Sequence, residues 1–420
     1  MSAENRALTR FDLTCIGINS VVGSSIFMFP AALAGFLGPA SIAAFAAVGL
    51  LMFSVGLCFA EAATHFDEAG GSYLYAREAF GDRVGFAIGW LSWFSYLFGW
   101  AAVSNGIASY LSWFDESLAS PWFVKSVAGV TILSFGVLNY RGVKLGAWVS
   151  NFFTAAKLAA LLVFVAVGLP KLQGGLLTPL APKAWSGFGP ACFLAYFAFQ
   201  GFEGIPVPSG EAATPRKHVP FAVVTSLIVA SVVYMLVQLV AVGTNPGLAE
   251  AKRPLADTAF LIMGPMGAGF IALAAAASMT GYTSSAALVC PRFLSALAHD
   301  GHVPAALGAS HPRFATPYLS ILVTTGIVLS AALVFDFGRL VDFSNIAVCA
   351  QYITTCAAVP VLRRRMKAEP GSFRLPGGLL VPVIGVLATL WLGAQGGASE
   401  ILWSAAILAA GFVIRALCRL

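Results

Sequence analysis

Apolar residues run almost unbroken near 11–36, 39–64, 84–114, 121–139, 145–169, 188–210, 221–244, 264–298, 316–335, 340–362, 379–397 and 400–418. About 20 such residues in a helix cross the roughly 30 Å of hydrocarbon in a bilayer. The pattern therefore predicts an all-α integral membrane protein of about twelve spans. The segment near 264–298 is longer than a membrane needs, so its last turns, from about Arg292, are expected to project into water. The polar stretches between spans are short, with no Pro/Ser-rich linker, and residues 1–420 read as a single membrane domain. The start is too charged, and the first span too long and Gly-broken, to read as a cleaved signal peptide.

Two of the spans are interrupted. Val22-Gly23-Ser24-Ser25 breaks the first, and Phe199-Gln200-Gly201-Phe202-Glu203-Gly204 breaks the one near 188–210. Small, flexible residues inside a membrane helix free backbone groups that lipid cannot satisfy, so such breaks persist only where they line a protected cavity. A pair of them in corresponding halves points to a substrate site near the bilayer midplane, which is the signature of a transporter. The alternative reading of each is a Gly/Ser kink that lets neighbouring helices pack closely.

Composition agrees with the pattern: 59% of residues are hydrophobic and 10% charged, against about 25% charged in a soluble domain. The net charge of +6 comes from uneven loops. Arg6, Arg10, Arg77, Arg83, Arg141, Lys144, Arg216, Lys217 and the Arg363-Arg364-Arg365 run share one side, whereas the other holds Lys125, Lys171, Lys183, Lys252, Arg253 and Arg339. By the positive-inside rule both termini are expected in the cytoplasm, and the basic balance needs no nucleic-acid partner. The partners implied are a small-molecule substrate and the lipid bilayer; nothing in the chain specifies an oligomer. Very short termini and Ala/Gly-rich spans suggest a bacterial inner (plasma) membrane. The seven cysteines are scattered singly and carry no assigned chemistry. Five histidines lie in or beside loops without metal-ligand spacing and read as surface residues. No metal site, cofactor motif, Walker A sequence or nucleophile elbow is present in the sequence, so neither an enzyme nor an ATP-driven pump is expected.

At this point the residues resemble a known family. Gly17-Ile18-Asn19-Ser20-Val21-Val22-Gly23-Ser24-Ser25-Ile26-Phe27 is similar to the G-S-G-I-F signature of the amino acid/polyamine/organocation (APC) transporters. Ala69-Gly70-Gly71-Ser72-Tyr73 with Tyr75, Arg77 and Gly81 resembles their A-G-G-x-Y…Y-x-R-x-x-x-G loop. Phe199-Gln200-Gly201-Phe202-Glu203 with Glu211 and Pro215-Arg216 resembles F-x-G-F-E/D…E…P-R, and Arg292, Ala298, Asp300-Gly301 and Pro304 resemble R…A-x-D-G-x-x-P. The resemblance covers nearly the whole chain and is nearest the proton-coupled cationic and general amino-acid permeases. It implies a LeuT-type fold of two inverted five-helix repeats, 11–169 and 188–362, with broken helices 1 and 6, followed by two peripheral helices in 379–418. It also implies that the substrate carboxylate sits on backbone N–H groups of the first break, with the amino group on carbonyls of both. Val22, Gly23, Ser24, Ser25, Ile26, Gln200 and Gly201 are then substrate-binding candidates, with Phe197 as an aromatic lid. Phe199, Phe202 and Tyr96 are candidate cavity aromatics. Ser25 stands where the family usually has glycine; it still supplies a backbone N–H at a helix N-terminus, where an anion is favoured. Arginine/agmatine antiporters resemble the lid segment but carry tryptophan where this chain has Phe197.

Two ionisable residues lie deep within spans. Lys157 is about twelve residues from either end of its span, roughly 18 Å at 1.5 Å per residue, too far for its side chain to reach water at the membrane surface. A buried ammonium must be paired, reach water or lose its proton. The resemblance implies that a lysine in this T-x-x-K-L context takes the place of a coupling sodium ion, bridging the first break and the eighth span. The alternative is a permanently charged lysine that locks helices through carbonyls. Glu203 is read as a proton-sensing carboxylate, as a hydrogen-bond organiser of the second break, or as a partner for a cationic substrate side chain. Thr283, Ser284 and Ser285 are candidate cation-site residues facing Lys157, with helix packing as the alternative. Glu211 and Arg216 are expected to anchor the end of the sixth span. The expected function is secondary active import of amino acids by proton-coupled symport and alternating access, with the proton rather than sodium as coupling ion. The alternatives are amino acid/polyamine exchange, or a non-transporting sensor or partner-dependent subunit.

Overall fold

In the computed structural model, which describes residues 8–68, 70–182, 185–366, 372–395 and 398–418, the chain is helical throughout, with a single isolated bridge between Leu8 and Ala212 as its only β feature among those residues. Eight helical stretches among the described residues are long and apolar enough to cross a membrane, and two further apolar helices are shorter. The elements are α1 (Arg10–Val21), α2 (Ser25–Leu37), α3 (Ser41–Ala63), α4 (Ser72–Phe80), α5 (Asp82–Leu111), α6 (Pro121–Arg141), α7 (Val143–Gly168), α8 (Phe188–Ala198), α9 (Pro215–Thr244), α10 (Pro254–His299), α11 (Tyr318–Val334), α12 (Phe337–Arg365), α13 (Leu380–Gly393) and α14 (Ala398–Cys418).

Helix ends are set by local chemistry. Thr9 and Asp12 form a reciprocal capping box that starts α1, satisfying donors that the first turn leaves free. Asp336 caps α12 by accepting from the Arg339 N–H. Within α10, Gly264 adopts φ 72 ahead of Pro265, a left-handed conformation that only glycine enters readily, and the helix kinks there.

The bundle is inside-out relative to a soluble protein. Serines, asparagines and the Lys157 side chain are buried, while Trp122, Val130, Leu133 and Val137 of α6 and Leu402, Trp403 and Val413 of α14 lie exposed. Apolar surface on this scale matches a lipid environment. α1 is gripped by α7 and α9, and α10 packs against α5 and α7, so the first break is enclosed on every side by other helices.

The face on which α1 begins is tied by ion pairs. Arg363 holds Glu61 at 2.6 Å, Arg292 holds Glu211 at 2.9 Å, and Arg216 holds Asp67 at 2.8 Å. Two sequence expectations, for Arg292 and for His302, are corrected here. Arg292 does not project into water: it is 3% exposed, because Glu211 and the Leu288 carbonyl take its guanidinium. Glu211 and Arg216 therefore bind α10 and the 64–68 loop to the sixth span. His302 is not a surface residue; it is buried between Tyr73 and Phe86, with Nε2 3.2 Å from Asp82.

Candidate functional site

Both interruptions are real breaks in the helices, and they touch. α1 stops at Val21 and α2 starts at Ser25, with residues 22–24 in bends. α8 stops at Ala198, and after a turn Gly201 takes φ 120. A Cβ on Gly201 would lie 2.4 Å from the Ser20 carbonyl oxygen. Glycine is thus required twice over, by conformation and by the approach of the first break.

Tyrosines from other helices serve the freed backbone groups. The Tyr96 hydroxyl donates to the Gly201 carbonyl at 2.9 Å. The Tyr234 hydroxyl lies 2.7 Å from the Val21 carbonyl and 2.9 Å from that of Ala198, so its one proton bridges the two breaks. The Tyr110 hydroxyl donates to the Phe27 carbonyl. A break buried in apolar surroundings survives only when such groups are satisfied.

Lys157, on α7, is completely buried. Its ammonium donates to the Val22 carbonyl at 2.6 Å, and lies 3.4 Å from the Asn19 carbonyl and 3.3 Å from that of Ser278 on α10. The Ser278 hydroxyl is itself 3.1 Å from the Val22 carbonyl and 3.2 Å from that of Gly23. An ammonium thus sits in a nest of carbonyl oxygens that joins the end of α1 to α10, with no carboxylate bonded to it among the described residues. Thr154 and Ser150, lower on α7, hold the same stretch of α1 through the Cys15 carbonyl and the Asn19 side chain.

The expectation that Thr283, Ser284 and Ser285 face Lys157 is corrected. They lie further along α10: Thr283 bonds back to the Thr280 carbonyl, Ser285 is 3.2 Å from Ser150, and the Ser284 hydroxyl has no partner among the described residues. The α10 residue at the ammonium is Ser278. It was missed because helical phase cannot be aligned between two spans from sequence alone.

Glu203 is buried, its carboxylate accepting the Gly201 N–H at 2.8 and 2.9 Å and the Tyr352 hydroxyl at 2.7 Å. It caps the turn of the second break from within. Its oxygens are spent on the protein's own donors, and no cationic side chain among the described residues is bonded to it.

Between the breaks lies a small cavity of about 20 Å3, closed around little more than one water-sized space. Gly23, Ser24 and Ser25 line it from the first break and Phe197, Gln200, Gly201 and Glu203 from the second, with Tyr96 also on its wall. The Ser24 hydroxyl is buried without a partner among the described residues, and α2 presents its N-terminus there. Phe197 leans on Phe29 at 5.8 Å between ring centroids. Four of the expected residues are corrected. Phe199 packs on Phe45 and Tyr234, and Phe202 on Phe59 and Tyr352; the Val22 carbonyl serves Lys157, and the Ile26 side chain is buried in the core. Ser20 and Val21, from the glycine/serine signature of the first span, and Ser95, Val103, Tyr282 and Ser344 complete the lining; no motif marked the last four.

The sequence matches the model of the amino acid permease family over residues 8–416. This chain belongs to that family. The permease is 28% identical to the methylthioribose transporter of Bacillus subtilis, and equally so to the branched-chain amino acid permease BcaP of that organism; each match covers 92% of this chain and 87% of the relative. The serine/threonine exchanger SteT, also from B. subtilis, is 26% identical, over 91% of the permease and 89% of its own length. The mouse cationic amino acid transporter 4 reaches 30% identity, over 87% of this chain but 61% of the relative. The permease is therefore a multi-pass membrane transporter and not an enzyme.

Proposed function

We propose that this permease is a proton-coupled importer of small neutral amino acids that works by alternating access around the cavity between the two breaks. The observation that carries this reading is the Lys157 ammonium bonded to the carbonyls of the first break and of α10. Protonated, it holds the end of α1 against α10; deprotonated, it loses its charge and one of its three donors, and that link loosens. A proton at Lys157 then does what a bound cation would do in the same nest of oxygens.

The substrate carboxylate sits on N–H groups at the start of α2, where an anion is favoured, and the amino group on carbonyls near Ser20 and Gly201. The side chain then faces Ser95, Val103, Phe197, Tyr282 and Ser344. Among the described residues that wall offers hydroxyls and apolar surface but no free charge, because Glu203 is engaged by Gly201 and Tyr352. A neutral side chain fits it; a cationic one would lack a partner. The fold is read as twelve spans in a 5+5 inverted repeat, 11–169 and 188–362, with 379–418 peripheral, both termini cytoplasmic and the protein in the inner membrane; the loop charge asymmetry supports that orientation. Exchange is the second reading, favoured by the relation to a serine/threonine exchanger.

The deciding experiment is uptake of labelled amino acids into proteoliposomes of the purified permease under an imposed proton or sodium gradient, with empty and with preloaded vesicles. Proton-driven uptake into empty vesicles is expected. Sodium-driven uptake would remove Lys157 from its role, and uptake only into preloaded vesicles would make the protein an exchanger.

A further inference from the structure

A second site lies far from the cavity, on the face where α1 begins. The end of α12 and the 372–376 segment border a groove of about 540 Å3 lined by Arg363, Arg364, Arg365 and Arg374, with Glu61 as its one carboxylate among the described residues. Glu61 is consumed within the fold, accepting from Arg363 and from the Leu375 N–H at 2.8 Å. That anchor fixes the backbone beside Arg374. Arg365 spends a donor on the Glu78 carbonyl, whereas Arg364 and Arg374 are exposed and make no ion pair among the described residues. Among the described residues the groove is therefore strongly cationic.

Phe373 lines this groove and also the next, of about 440 Å3, which holds Arg216, Lys217, Pro220, Phe221 and Val224 at the start of α9. The second groove is cationic at its end and apolar along its floor. It continues into Phe221, Ile228 and Val232, which are 44%, 49% and 46% exposed and, at spacings of seven and four residues, share one face of α9. Arg10 stacks over Phe221 at 4.5 Å and adds a further cation at the junction.

A cationic pocket at the level of the headgroups, opening onto an apolar stripe that faces lipid, has the chemistry of an anionic glycerophospholipid. We propose that this permease binds one such lipid in the groove between α3, α9 and α12, its phosphate between Arg364, Arg374 and Lys217 and an acyl chain along Phe221, Ile228 and Val232. Free phosphate would satisfy the first half of the site only. The inference is independent of substrate identity and of the coupling ion.

The test is a titration of the full chain, purified and stripped of lipid in a non-ionic detergent, with short-chain fluorescent phosphatidylglycerol and with phosphatidylcholine of the same chains. It is repeated for the triple variant Arg364→Gln, Arg374→Gln, Lys217→Gln. These three side chains are exposed and make no ion pair among the described residues, so the variant is expected to keep the wild-type thermal midpoint. At about fivefold per cation near a headgroup, binding of phosphatidylglycerol should weaken at least tenfold in the variant and exceed that of phosphatidylcholine at least tenfold in the wild type. Equal binding of both lipids, or undiminished binding by the folded variant, would overturn the proposal. So would competition by inorganic phosphate at concentrations equal to the lipid, which would leave the apolar stripe without a role. Should the triple variant lose its fold, Ile228→Asn with Val232→Asn tests the other half: the preference for chain-bearing over chain-free glycerophosphate must fall.

Discussion

Replacing Lys157 by methionine separates a coupling role from a merely structural one. The substitution removes one short charge-assisted bond, at 2.6 Å to the Val22 carbonyl, and two long ones at 3.3 and 3.4 Å. A hydrogen bond to a charged group contributes about 1.5–3 kcal/mol. Against this stands the cost of burying an ammonium away from water, several kcal/mol even after relaxation, which methionine does not incur. The Val22 carbonyl also keeps the Ser278 hydroxyl at 3.1 Å. The two effects nearly cancel, so the thermal midpoint of Lys157→Met in detergent is expected within about 5 °C of wild type. Transport should change far more. With one titrating group carrying one proton per cycle, a gradient of one pH unit, about 1.4 kcal/mol, sustains roughly tenfold accumulation of substrate. In Lys157→Met vesicles the accumulation ratio should fall to about one while exchange of labelled for unlabelled substrate continues. Undiminished accumulation would refute the coupling role, and loss of exchange together with accumulation in a folded protein would make Lys157 a structural lock.

Other residues give sharper structural outcomes. Gly201→Ala must accommodate a Cβ 2.4 Å from the Ser20 carbonyl at φ 120; a loss of at least about 3 kcal/mol should appear as a lower thermal midpoint or failure to purify as a monodisperse protein. Tyr234→Phe leaves the Val21 and Ala198 carbonyls without their shared donor, and a cost of about 1–3 kcal/mol is expected, read as a lower midpoint with weaker substrate binding. Glu61→Ala strands Arg363 in a site where their side chains are 4% and 14% exposed, and should destabilise by about 3 kcal/mol without altering which amino acids compete for binding.

The breaks were legible in the sequence because glycine and serine in an apolar run have few other uses, and Lys157 because no side chain of its length reaches water from mid-span. Which carbonyls the ammonium meets was only half legible: the first-break partner followed from the resemblance, but Ser278 replaced Thr283, Ser284 and Ser285 because the relative phase of α7 and α10 is a property of packing. Phe199 and Phe202 read as cavity aromatics until the fold packed each against other rings. The tyrosines that satisfy the breaks, Tyr110, Tyr234 and Tyr352, carry no local signal, since a buried tyrosine looks like any core aromatic until its hydroxyl finds a carbonyl or carboxylate. Arg292 was placed in water because its apolar segment is longer than a membrane needs, and its partner Glu211 lies 81 residues away in sequence.

The central claim is that the backbone of the two breaks holds the carboxylate and amino group of a neutral amino acid. Equilibrium binding of a labelled neutral amino acid to the purified permease, competed by the decarboxylated amine of the same side chain, tests it directly. Saturable binding with the amine at least about a hundredfold weaker, the loss of close to 3 kcal/mol expected for an unmade charge-assisted contact, is the predicted result. An amine that competes as well as its parent amino acid would contradict the account.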